Sequence, residues 1–162
     1  MVRRAIGAGL ADDGLVPHLP LSVVREIAVT GPQSPDEVWD RYVRPVRWSH
    51  WAPQITGVDY ALERLVPGTK GLVRGPLRVP LPFEVLAVDE SDPRRRSWRW
   101  RAGALGVHVE LEHVVEPDPS RAGGSRTILV LSGPALLVVP YLPLARLALN
   151  RLVSRGAVPA GP

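Results

Sequence analysis

Two runs of period-two alternation, SWRWRA (97–102) and VHVELEHVVEP (107–117), flank a short segment bounded by Gly103 and Gly106. Successive side chains on a strand point to opposite faces, so two alternating runs joined by a glycine-containing turn specify an antiparallel hairpin. Centring the turn on residues 103–106 sets Trp100 opposite Val109, Trp98 opposite Leu111, Arg101 opposite His108, Arg99 opposite Glu110 and Arg96 opposite His113. One face then carries Trp98, Trp100, Val107, Val109 and Leu111, and the other Arg99, Arg101, His108, Glu110 and Glu112. A slip of one residue would mix the two faces. The arginines of RRRSWRWRAG (94–103) could in isolation grip a phosphate backbone while the indoles stack on bases. With carboxylates across the hairpin they need no nucleic acid to account for them.

His113 shares parity with Val109 and Leu111 and so falls on the apolar face, with Arg96 expected beside it. A histidine there is either a hydrogen-bonded core residue or a group that exchanges protons inside a cavity. Both readings remain open. His108, Glu110 and Glu112 stand on one strand face at alternate positions, but the ligand set is incomplete and the facing arginines repel a cation, so no metal is expected. AGGS (122–125) reads as a hairpin turn, because it lacks the strand-to-helix setting and following lysine of a phosphate loop.

Upstream, SVVREIAVT (22–30) reads as a strand, and SPDEVWDRYV (34–43) opens a helix. Ser34 serves as N-cap, Pro35 occupies the first helical position and Glu37 completes a capping box. Pro45 ends the helix. RWSHWAP follows as a second short helix, with Trp48 and Trp51 packing under the sheet and His50 exposed. ITGVDYALERL (55–65) alternates as a strand, Pro67-Gly68 makes a tight turn, and TKGLVRG returns. Pro80 and Pro82 in RVPLPFEVLAVDE confine that part of the next strand to a start, an edge or a bulge. The uncharged stretch from Ile128 to Ala145 approaches the length of a membrane span. Ser132, Gly133, Pro134, Pro140 and Pro143 break it, so it reads as a strand followed by a helix whose regular part starts near Leu142. That helix opposes Leu142, Ala145, Leu149 and Leu152 to Arg146, Arg151 and Arg155.

The chain of 162 residues is long enough to bury one core, and 45% hydrophobic with 22% charged residues is globular usage. The net charge of +4 is spread from Arg3 to Arg155 rather than gathered into a stripe. The absence of cysteine excludes disulfides, thiolate metal sites and cysteine nucleophiles. The apolar run before Asp12 and Asp13 is too short for a signal peptide, and the protein is read as cytoplasmic.

SPDEVWDRYV, RWSHWAPQITGV, VPGTKGLVRG, FEVLAVDESDPRRRSWRW, HVELEHVVEP and GGSRTILVLSGP, in that order over residues 22–155, resemble the SRPBCC superfamily, which joins START lipid-transfer domains, polyketide cyclases and birch-pollen-allergen proteins. The resemblance implies an α+β helix-grip fold: a curved seven-stranded antiparallel sheet wrapped around a long C-terminal helix, with two short helices after the first strand. It divides the chain into an N-terminal extension (1–20), the helix-grip domain (21–156) and a C-terminal tail (157–162). It further implies an internal cavity for a hydrophobic or polycyclic molecule, lined here by Tyr60, Phe83, Arg96, Trp98, Trp100, Leu111 and Tyr141, with His113 as candidate catalytic group. Two functions of different class follow: polyketide cyclisation or dehydration, and carriage of a lipid or other hydrophobic ligand without catalysis. A basic-surface nucleic-acid or membrane binder ranks third; neither nucleic acid nor stable membrane insertion is expected. No cofactor is expected, and the sequence leaves the oligomeric state open.

Overall fold

The computed structural model describes residues 21–75 and 79–154; the extension expected over 1–20 and the tail over 157–162 lie outside the described residues. In chain order the elements are β1 (Ser22–Gly31), α1 (Pro35–Val43), a 3-10 turn (Pro45–Arg47), α2 (Trp48–Trp51), β2 (Gly57–Asp59), β3 (Lys70–Arg74), β4 (Pro80–Asp89), β5 (Arg96–Ala104), β6 (Val107–Pro117), β7 (Ser125–Pro134) and α3 (Ala135–Val153). The strands form one antiparallel sheet in the order β1-β7-β6-β5-β4-β3-β2, so every neighbour except the β1–β7 pair is also adjacent in sequence. α3 packs back across β1 and β7, and α1 and α2 close the same face.

The helix start at Ser34 follows from its side chain accepting the Glu37 N–H at 3.3 Å, with Pro35 at the first helical position. Only half of the expected capping box forms, because the Glu37 carboxylate accepts from Arg41 one turn on, at 3.2 Å, instead of reaching back to the cap. Apolar residues of α1 at helical spacing, Val38, Trp39, Tyr42 and Val43, are all buried. Between Trp51 and β3 the expected strand over 55–65 shrinks to Gly57–Asp59, and Leu62 stands exposed.

The β5–β6 hairpin keeps its two faces but not its expected partners. Trp98 pairs with His113, Trp100 with Leu111, Arg101 with Glu110, Arg99 with Glu112 and Arg96 with Val115. The strands run on through Gly103 and Ala104, and the loop is Leu105-Gly106 alone, with φ of 55° and 80°. Two successive left-handed residues make the primed turn whose twist matches a hairpin, which moves the register by two residues. A shift of two preserves parity, so Trp98 and Trp100 are buried and Arg99 and Arg101 exposed, as the alternation requires.

α3 begins seven residues before the expected Leu142 and contains both Pro140 and Pro143. By length and composition it is apolar enough to cross a membrane. In this fold Val138, Ala145, Ala148, Leu149 and Leu152 face the core. At the other side of the sheet, Pro80 to Pro82 of β4 pair with β3, while pairing with β5 starts only at Phe83 opposite Ala102. Proline gives no N–H to a ladder, so β4 and β5 part at this end, leaving Gly103 and Ala104 without β4 partners.

Candidate functional site

The parted end of the sheet is where a cavity opens. It measures about 620 Å3 and runs between α3 (Leu137, Val138, Tyr141, Leu144) and the inner faces of β3 to β6 (including Val73, Trp100, Ala102, Val109 and Leu111). Val79, Leu81, Val107 and Leu137 stand at the rim, each between about two-fifths and three-fifths exposed. Among the described residues, none of the lining side chains is charged.

The cavity continues inward to a pocket of about 30 Å3 that shares Gln54, Ile55, Trp100, Leu111 and Tyr141 with it and adds Trp51, Trp98 and His113. Trp48, Trp98 and Trp100, which line this pocket, form with Phe83 behind them a continuous aromatic cluster with centroid separations of 5.3 to 5.6 Å. Trp48 fixes its own place by donating its indole N–H to the Tyr42 carbonyl at 2.8 Å.

His113 is buried and stacks on Trp98, with centroids 4.6 Å apart and planes 8° from parallel. The Trp100 indole donates to His113 Nε2 at 3.2 Å, and His113 Nδ1 lies 3.2 Å from the Tyr42 hydroxyl. Since Nε2 accepts, the proton sits on Nδ1 and is donated to Tyr42. Tyr42 in turn lies 2.7 Å from the Thr127 hydroxyl, which donates to the Val114 carbonyl at 3.1 Å. Each donor in this chain has one acceptor, and the last acceptor is backbone. Burial lowers the His113 pKa to about 3 and pushes the Tyr42 hydroxyl up. A proton on Nε2 would also face the Trp100 N–H, so the network itself holds the neutral ring.

Of the residues expected around the cavity, Trp98, Trp100, Leu111, Tyr141 and His113 come together at its inner end. Phe83 is buried one layer behind, stacked on Tyr60 with centroids 5.8 Å apart. Tyr60 lies outside the cavity; its hydroxyl accepts from the Val66 N–H at 3.0 Å and pairs with Thr69. Arg96 is a correction. Opposite Val115 instead of His113, it ion-pairs with Asp36 of α1 and sits over the Trp39 ring at 5.9 Å. Arg95 and Arg101 likewise meet Glu116 and Glu110. The sequence reading missed Gln54, whose loop position carried no periodic signal, and the Tyr42 hydroxyl, which helical spacing assigned only to packing.

No family model matches this chain, and no curated protein matches it. Among solved structures it is similar to a hypothetical protein from Helicobacter pylori, jhp0584, with a TM-score of 0.63 at 14% identity over 94% of this chain and 98% of that one. It is also similar to Ara h 8.0201, with a TM-score of 0.63 at 14% identity over 81% of this chain and 95% of that one. Ara h 8 is a birch-pollen-allergen-like member of SRPBCC. This chain has the helix-grip fold. In helix-grip terms α3 is the gripped helix, the sheet is the hand around it, and the cavity is the space the proline-parted end of the sheet leaves under the head of the helix.

Proposed function

We propose that this helix-grip protein takes up an apolar small molecule into the cavity under α3 and carries it there. The observation that supports the reading is the cavity itself: about 620 Å3, without a charged side chain among the described lining residues, and open at a rim of half-exposed aliphatic side chains. That volume lies within the range of sites that bury most of a drug-sized ligand. The test is native mass spectrometry of freshly purified protein, followed by thermal denaturation with fatty acids, steroids and aromatic polyketides. A retained ligand, or a rise in Tm with one class, is expected; no retained mass and no rise with any class would sink the reading.

Cyclisation or dehydration of a polyketide is the catalytic version, with His113 moving the proton. Carriage is favoured because both ring nitrogens of His113 are already engaged, by Trp100 and by Tyr42. His113→Gln separates the two once a substrate is in hand: loss of about 10²-fold in turnover speaks for proton transfer, and unchanged behaviour for carriage.

A further inference from the structure

Three of the residues that line the inner pocket each have a buried polar atom without a partner among the described residues. Trp51 Nε1, Trp98 Nε1 and Gln54 Oε1 are buried and have no hydrogen-bond partner, and all three residues line this one pocket of about 30 Å3. A fourth group joins them: the Tyr141 hydroxyl, on the same lining, accepts from Gln54 Nε2 at 2.7 Å and has its own proton left to give. A buried, unpaired donor or acceptor costs free energy until something pairs with it. The pocket is wide enough for one oxygen atom and its hydrogen, and it lies at the closed end of the apolar cavity.

We propose that this pocket is a hydroxyl-recognition subsite, and that the ligand is a neutral apolar molecule that enters with a terminal alcohol or phenol leading. The inference rests on the cavity reading above and narrows its ligand. The assignment follows from the sign and number of the free groups. Three donors, the Trp51 and Trp98 N–H groups and the Tyr141 O–H, call for a ligand oxygen that accepts, of which a hydroxyl takes up to two, and the Gln54 carbonyl oxygen calls for a ligand hydrogen that is donated. A hydroxyl supplies both, whereas an ether or ketone leaves Gln54 unpaired. A carboxylate would bring a charge among described lining residues that include no lysine or arginine, beside a histidine held neutral by its own network. Selection by a buried group that must be paired is stronger than selection by apolar fit, because the wrong ligand leaves the site's own atoms unsatisfied.

The experiment compares dodecanol, dodecyl methyl ether and dodecanoate at neutral pH, titrated into the whole protein and followed by tryptophan fluorescence and calorimetry. Dodecanol is expected to bind about tenfold or more tighter than the ether, although the ether is the more hydrophobic of the two, and tighter than dodecanoate. Gln54→Leu is expected to bring the alcohol-to-ether ratio close to one while leaving ether affinity in place, and Trp51→Phe, which removes a donor that either oxygen accepts from, to weaken both ligands and keep the ratio. Two variants on different elements guard against one of them failing to fold. Equal affinity for alcohol and ether in the wild type would mean that the pocket holds a trapped water only, and would overturn the subsite while leaving the cavity reading standing. An alcohol preference that survives Gln54→Leu, or affinity for both ligands undiminished in Trp51→Phe, would overturn it too, by placing the hydroxyl elsewhere. If none of the three binds, the cavity reading fails, and the subsite with it.

Discussion

His113 illustrates how one side chain's surroundings become a property of the whole fold. Its pKa is about 3 in the folded protein against 6.5 unperturbed, through burial. Between those values the unfolded chain holds the proton and the folded chain does not, so unfolding is favoured as protons are added. The stability contributed by the neutral ring is therefore complete above pH 6.5 and drains away as pH falls toward 3. The slope is about 1.4 kcal/mol per pH unit. Gln at this position keeps one donor for Tyr42 and one acceptor for Trp100 but does not titrate. Urea midpoints of His113→Gln and wild type, measured from pH 7 to pH 4, should diverge by that slope, with wild type falling faster; parallel curves would show that the ring is not held neutral. At this scale the sequence spoke through parity alone. Parity put His113 inside, but it could not show that Tyr42, 71 positions away in the chain, supplies the acceptor for Nδ1.

Among the elements, the β5–β6 hairpin separates what alternation decides from what it leaves open. Alternation fixes which face a residue occupies, and Trp98, Trp100, Arg99 and Arg101 lie where it puts them. It does not fix which residue stands opposite, because shifts of two are equivalent in parity. The turn chooses, and here the choice was hard to foresee because Leu105, with φ of 55° and its side chain fully exposed, fills a place that usually goes to asparagine or glycine. That mismatch can be measured. Leu105→Asn should raise stability by up to about 1 kcal/mol, seen as a higher Tm, since asparagine tolerates the left-handed conformation better than leucine. A lower Tm would mean that the Leu105 side chain contributes packing. α3 offers the opposite lesson: its prolines argue for a regular helix only from Leu142, yet burial of Val138 and the direct run from β7 start it at Ala135. Tertiary packing outweighed local propensity there.

For the molecule as a whole, the order of elements was legible before the structure, because strand, turn and cap signals are local and their sequence along the chain survives small boundary errors. The cavity was not. Its volume depends on where β4 leaves β5 and on how α3 lies over the gap, and neither is written in a single stretch. Ala102 lies on the inner face of β5 in the middle of that space. Ala102→Trp should occupy the cavity and abolish uptake of apolar ligands while the far-ultraviolet circular dichroism and the cooperativity of unfolding stay those of the wild type. Undiminished binding in that variant would place the ligand elsewhere.

The two ends of α3 are held very differently. At its foot, a side chain on Gly31 of β1 would come within 2.5 Å of Val153, the Gln33 N–H donates to the Val153 carbonyl at 3.1 Å, and Arg41 donates to the Leu152 carbonyl at 2.7 Å. At its head, Pro140 and Pro143 give no N–H to the carbonyls one turn before them, and Leu136, Leu137 and Val139 are turned to solvent above the cavity. A rod held this tightly at its foot is expected to open first from its head, as a lever would with its fulcrum at Gly31. Deuterium should therefore enter α3 as a gradient, with amides from Leu147 to Val153 exchanging only when the protein unfolds and those of Leu142 and Leu144 exchanging through smaller, faster openings. Apolar cargo would flatten that gradient by giving the head of the lever something to rest on.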